Sequence, residues 1–117
     1  LNRRRVLADA KSLALELAQN YLPPETRSVR LPGDSGYVAL KLAVDNFRKN
    51  GKATPHDETV SLALARVLTG GATDITQEVT EQQLLDLEHD YFMELCKTSE
   101  TRDRIAHMLN TSKPLRN

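Results

Sequence analysis

Residues Thr80–Asn117 read TEQQLLDLEHDYFMELCKTSETRDRIAHMLNTSKPLRN, and this stretch decides the fold class. Thr80 followed three residues later by Gln83 forms a capping box, which marks a helix start. Leu84, Leu87, Tyr91 and Leu95 then recur at helical spacing, with Asp86 and Glu88 on the wetter side. A second helix is expected from about Glu100, capped by Ser99, with Ile105, Met108 and Leu109 on one face. Two amphipathic helices and a short tail therefore close the chain.

Working back from this end, the same grammar repeats. Thr54 caps a helix, Pro55 takes its first position, and Asp57 and Glu58 fill its first turn. Val60, Leu64, Val67 and Leu68 are its expected buried face, and Gly70-Gly71 ends it. Ala72 to Val79 reads as a loop. Before it, a helix starts near Ser35 or Gly36, after Asp34, and runs to about Asn50. Tyr37, Leu40, Val44 and Phe47 share one face, and Tyr37 and Phe47 read as core. Gly51 stops this helix, with Arg48, Lys49 and Lys52 complementing its dipole. The first helix covers about Arg5 to Asn20, with a broad stripe of Val6, Leu7, Ala10, Leu13, Ala14 and Leu17. Pro23-Pro24 prevents it from continuing. Leu22 to Asp34 is an extended connection in which Val29 and Leu31 alternate with Ser28 and Arg30.

The expectation is an all-α fold, one helical domain over 1–117. Its five amphipathic helices, near 5–20, 35–50, 55–69, 81–97 and 100–110, form a small orthogonal or irregular bundle. Composition agrees. Of 117 residues, 39% are hydrophobic but only 4% aromatic, so the core is built from Leu, Ala and Val. Sixteen bases balance sixteen acids, which argues against a strong overall field for nucleic acid or an anionic membrane. No apolar run approaches the roughly 20 residues of a membrane span. No apolar segment follows the basic opening as a signal peptide requires. The opening Leu1, in place of Met, is what a piece cut from something longer would show. The single cysteine, Cys96, rules out an intramolecular disulfide and fits a reducing compartment.

Candidates for chemistry are few. His56, His89 and His107 fall on three different helices without metal-ligand spacing. His56, at a helix start beside Asp57, is expected to be exposed. Glu88-His89-Asp90 resembles a catalytic string in print, but adjacent helical residues point about 100° apart and do not converge. A solvated face is the expectation there. Cys96 stands beside Lys97 but near a helix C-terminus, where the dipole opposes a thiolate, so a buried structural cysteine is expected. Arg3-Arg4-Arg5 reads as a solvated end. Gly33, Gly36, Gly70 and Gly71 lie in no strand–loop–helix context and form no phosphate-binding loop. The second and third helices, joined by a Gly-containing turn, imitate a helix-turn-helix. The would-be reading helix starts with His56, Asp57 and Glu58, whose two carboxylates would repel phosphate, so DNA binding is not expected.

A resemblance carries the reading further. Leu87, Glu88, Phe92, Ile105, His107, Met108, Leu109 and Lys113-Pro114-Leu115-Arg116-Asn117 resemble the C-terminus of bacterial 3-hydroxyacyl-CoA dehydrogenase/enoyl-CoA hydratase fusion proteins of fatty-acid β-oxidation. Arg30-Leu31-Pro32-Gly33, Gly51–Asp57 and Val67–Gly71 are similar to the same region. The resemblance implies a C-terminal fragment that follows a crotonase-type core. It implies the parent's crotonase and dehydrogenase domains and its acyl-CoA substrate as partners, and a cytoplasmic location. The family's dehydrogenase part uses NAD, a glycine-rich nucleotide loop and a His–Glu pair. Its hydratase part uses glutamates and an oxyanion hole. This chain carries neither set, so no catalytic, cofactor-binding or metal residue is assigned to it and no cofactor is expected in it. The alternative is an independent helical protein-interaction module. A severed region should leave apolar surface, expected at Val6, Leu7, Leu13, Leu17 and Leu22 and covered by another copy of the chain.

Overall fold

A computed structural model describes residues 5–117. Five helices make up most of it: α1 (Val6–Gln19), α2 (Gly33–Lys49), α3 (Pro55–Leu68), α4 (Glu81–Cys96) and α5 (Ser99–Thr111). The expected all-α class holds, and the helix bounds fall within two residues of the sequence reading. Arg3 and Arg4 of the basic opening lie outside the described residues. Arg5 pairs with Asp9 at 3.7 Å, one helical turn on.

The caps account for the agreement. In α3 the Thr54 hydroxyl accepts the Asp57 N–H at 3.0 Å, and the Asp57 carboxylate accepts the Thr54 N–H at 2.9 Å. In α4 Thr80 and Gln83 exchange the same pair of bonds, at 3.2 and 2.8 Å. Each box satisfies donors that a helix start otherwise leaves open. At α5 the cap is Thr98, not Ser99: the Thr98 hydroxyl accepts from Thr101 N–H. The Ser99 hydroxyl turns instead to its neighbour Glu100.

A two-stranded antiparallel ladder was not expected. β1 (Ser28–Arg30) pairs with β2 (Glu78–Thr80), aligning Ser28 with Thr80, Val29 with Val79 and Arg30 with Glu78. Ser28 and Arg30 both reach the Glu78 carboxylate, at 2.8 and 3.4 Å. Strands of three residues are too short for a period-two pattern to register, and β2 hides inside what reads as a loop. The alternation seen at Val29 was its only trace.

α2, α3, α4 and α5 pack in sequence, each against the next. The expected face of α3 is only partly right. Val60 and Val67 are half-buried, but Leu64 and Leu68 remain 54% and 58% exposed. The buried residues of α3 are His56 and Ala65. Small side chains explain this. A Cβ added to Gly36 of α2 would meet the Pro32 ring at 2.4 Å and the Thr69 methyl at 3.1 Å, so the Thr69 side chain packs directly on the glycine. Thr69 is buried, and its hydroxyl returns to the Ala65 carbonyl at 2.9 Å. Phe47, expected in the core, is 55% exposed, and Tyr37 is half-buried beneath the Arg66 guanidinium, 3.5 Å from its ring centroid.

The molecule is extended. Its radius of gyration is 20.3 Å, against about 13 Å for a compact chain of this length. It exposes 9498 Å², where a compact monomer of this mass exposes about 6,400 Å². α1 has no buried residue and no substantial contact with another element. Val6, Leu7, Leu13, Leu17 and Leu22, the five residues expected to form an open apolar surface, are 51% to 86% exposed.

α2 begins earlier than expected, at Gly33, which sits at φ +56° and whose N–H bonds the Thr69 carbonyl at 2.8 Å. A Cβ there would lie 1.6 Å from the Thr73 carbonyl oxygen. Gly33→Ala should therefore displace the Thr73 loop and cost at least about 2 kcal/mol. Thermal unfolding followed by circular dichroism checks this, and an unchanged midpoint would contradict the packing described.

Candidate functional site

Two places gather side chains. The first is the start of α3, where three elements meet. Asp57 is the hub. Besides its capping bonds, its carboxylate pairs with Arg104 of α5 at 2.8 Å and with Arg116 of the tail at 3.7 Å. Arg104 continues outward: its Nε donates to Asn117 Oδ1 at 2.7 Å, and one Nη to the Thr54 hydroxyl at 3.3 Å. Arg116 donates to the Lys52 carbonyl at 3.0 Å, and the Asn117 amide to the Glu100 carbonyl at 3.2 Å. The tail is thereby clasped onto both the α2–α3 turn and the start of α5.

His56 lies beside this hub and corrects an expectation. It is 6% exposed, and its Nε2 shares a 2.9 Å hydrogen bond with the Thr101 hydroxyl. The sequence places His56 at the open start of its own helix. The start of α5 packs over it, and Thr101 supplies the polar partner that burial demands. This is a satisfied structural histidine joining two helix starts.

The second place is an open groove of about 450 Å³ between α3 and α4. Val60, Ala63, Leu64 and Val67 form one wall; Leu85, Phe92 and Leu95 form the other, with Glu88 and His89 at the rim. Its volume is in the range of small-ligand pockets, but its lining holds no converging set of reactive groups. Glu88, His89 and Asp90 follow the expected solvated face. His89 Nδ1 reaches only its neighbour Asp90, at 3.4 Å, with side chains 70% and 80% exposed. Cys96, expected to be buried, is only partly so. It ends α4, and the Arg102 guanidinium takes its carbonyl at 3.1 Å, outside the core.

Among the described residues no three His, Cys, Asp or Glu side chains gather as a metal site. The residues do not fit a nicotinamide dinucleotide either. Both strands are three residues long and antiparallel. β1 does lead through Leu31-Pro32 into Gly33 and Gly36 at the start of α2, which corrects the expectation that these glycines lie in no strand–loop–helix context. Their spacing is not the G-x-G-x-x-G of a dinucleotide turn, and Gly70 and Gly71 follow the end of α3.

The chain is similar, along its entire length, to part of a 3-hydroxyacyl-CoA dehydrogenase, as its closing residues suggested. The relative is described as "Probable 3-hydroxyacyl-CoA dehydrogenase" of Bacillus subtilis (strain 168). The two are 36% identical over 118 aligned positions, which cover 100% of this chain and 15% of the relative. No family model matches the chain. No solved structure matches it.

The clasp itself went unread in the sequence. Lys113–Asn117 was informative as a resemblance, but nothing in its spacing points to Asp57, sixty residues earlier. Asp57 titrates at about 2, below its ordinary 3.8, chiefly because the Thr54 N–H bonds its ionised form, with Arg104 adding to the effect. A depressed carboxylate contributes stability that is complete above its unfolded pKa and lost as pH falls through the folded one. Stability should thus decline from about pH 4 towards pH 2. In Asp57→Asn this part of the decline should be absent, with lower stability at neutral pH. Urea titrations of both proteins across that range provide the measurement.

Proposed function

We infer that the chain is the helical C-terminal region of a fatty-acid β-oxidation enzyme of the 3-hydroxyacyl-CoA dehydrogenase/enoyl-CoA hydratase type. It packs on or completes the acyl-CoA-handling parent and is not catalytic alone. The observation that carries this reading is the 36% identity along the whole chain to a protein described as a 3-hydroxyacyl-CoA dehydrogenase. The open surface supports it. α2 presents Val38, Leu42 and Phe47, and α5 presents Ile105, Met108 and Leu109, all substantially exposed. Val38 and Leu42 lie one turn apart on α2, and Ile105, Met108 and Leu109 share one face of α5; exposed apolar faces of this kind mark a surface that another protein covers.

In this reading the chemistry belongs to the parent, with NAD bound by its dehydrogenase part and the acyl-CoA held by its catalytic domains. This region contributes shape. The clasp at Asp57 holds α3, α5 and the tail as one piece, so that the apolar faces of α2 and α5 are presented together. The balanced charge suits docking through apolar contact, and no helix among the described residues is long and apolar enough to cross a membrane. A cytoplasmic enzyme agrees with this reading.

The test is an assay of the chain with enoyl-CoA, and with 3-hydroxyacyl-CoA plus NAD. No turnover is expected in either. Turnover that Glu88→Gln abolished would overturn the reading in favour of a free-standing enzyme. Crotonase-type sequence encoded immediately before Leu1 is expected in the source gene. An unrelated sequence there would favour an independent interaction module.

A further inference from the structure

Asn50 caps the C-terminus of α2 and is followed directly by Gly51. We propose that this pair is a self-modification site: the Gly51 nitrogen attacks the Asn50 side-chain amide, and the product unfastens the C-terminal tail. The Gly51 amide nitrogen, having lost its proton to solvent, bonds to Asn50 Cγ. The Cγ–Nδ2 bond breaks, and Nδ2 leaves as ammonia. One water then opens the resulting cyclic imide. Attack at the side-chain carbonyl gives aspartate, and attack at the main-chain carbonyl gives isoaspartate. Nothing is oxidised or reduced, and water is the sole co-reactant.

Three observations carry this. The first is access. The attacking nitrogen must reach Cγ closely, and a side chain on its own residue obstructs the approach. Gly51 has none, and a Cβ built there would meet no atom within 4 Å. Both residues are exposed. Asn20, Asn46 and Asn110 are followed instead by Tyr21, Phe47 and Thr111.

The second is a gate. Asn50 has ψ 7°. Ring closure requires the Gly51 nitrogen to eclipse the Asn50 Cα–Cβ bond, whereas at this angle it eclipses the Asn50 backbone nitrogen. Rotation into place draws the Gly51 N–H from the Arg48 carbonyl at 3.1 Å and the Lys52 N–H from the Phe47 carbonyl at 2.9 Å. These two bonds are the C-terminal cap of α2. The Asn50 amide is itself held, donating to Asn46 Oδ1 at 3.0 Å. The reaction therefore runs through local opening of this turn.

The third is what the turn supports. The Lys52 carbonyl accepts from Arg116 of the tail at 3.0 Å. Isoaspartate routes the main chain through its side-chain carbon and adds one backbone atom between the groups that the cap joins. Both cap bonds are lost, and the Lys52 carbonyl moves from beneath Arg116. Either product also places a carboxylate at the helix end whose dipole disfavours it.

The experiment stores the 117-residue chain in mildly alkaline buffer, with and without urea. Isoelectric focusing and peptide mass spectrometry follow it. The chain should gain one negative charge, located at Asn50, while Asn20, Asn46 and Asn110 remain amides. Urea should speed the change at least about tenfold, because it opens the turn in every molecule. Arg116→Ala removes a bond that steadies the turn, and should speed the folded chain at least about twofold but leave the rate in urea unchanged. Carboxypeptidase digestion reads the tail. The isoaspartyl form, separated by ion exchange, should lose Asn117 and Arg116 at least about threefold faster than the unreacted chain. Asn50→Gln would need a larger ring to react, so it should keep its amide and its resistance to digestion on storage, with circular dichroism verifying its helices. Reaction at Asn50 no faster than at Asn20 would overturn the site. Equal rates with and without urea would overturn the gate. An isoaspartyl chain whose tail resists digestion as well as the unreacted chain would overturn the link to the clasp.

Discussion

The Asp57 carboxylate is the interaction on which the folded body depends. It completes the cap of α3, and it is also where α5 and the tail attach. Its position makes this possible. A residue at the third place of a helix points its side chain back towards the helix start, where the unpaired N–H groups and the arriving tail both lie. A partly buried carboxylate with two guanidinium neighbours and a backbone donor has its lone pairs matched, so burial costs it little. His56, one residue earlier, ties the same helix start to Thr101 through a buried hydrogen bond. Two adjacent residues of α3 thus bring together segments that lie more than forty positions apart in the chain.

The local layer of this fold was legible. Thr54, Thr80, Pro55 and the glycine stops marked the helix ends, because each acts on backbone within its own turn. What the sequence concealed was nonlocal. Leu64 looked buried and Ala65 did not, since leucine spacing says which residues are apolar but not where a neighbouring backbone can approach. Gly36 of α2 takes the Thr69 side chain directly, one turn beyond Ala65, and it is Ala65 and Thr69 that are buried. His56 was misjudged for the same reason, its cover being a helix that begins more than forty residues later. β2 was missed because three residues carry no period. The candidate site was legible mainly as a resemblance. The closing Lys113–Asn117 indicated kinship, while its physical work, holding the end of the chain against Asp57, needed coordinates.

The exposed surface gives these observations a common meaning. Among the described residues only Ala65 and Val79 are buried apolar side chains, and neither is large. Such a body is held by caps, a clasp and half-buried leucines more than by a sealed core. The hydrophobic burial that usually dominates folding is here deferred to surfaces of α1, α2 and α5 that remain open. A protein of this kind is most stable when those faces are occupied, because whatever binds only the folded form adds to its stability by mass action.

The isolation of α1 has one more consequence. A helix of 14 residues without tertiary support is near the length at which peptides in water interconvert between helix and coil. The remaining helices fold without it, since it buries none of its own residues against them. A surface that seated α1 would also order it, and the conformational entropy given up would lower affinity for a given contact area. Attachment of such an arm and its helicity would rise and fall together.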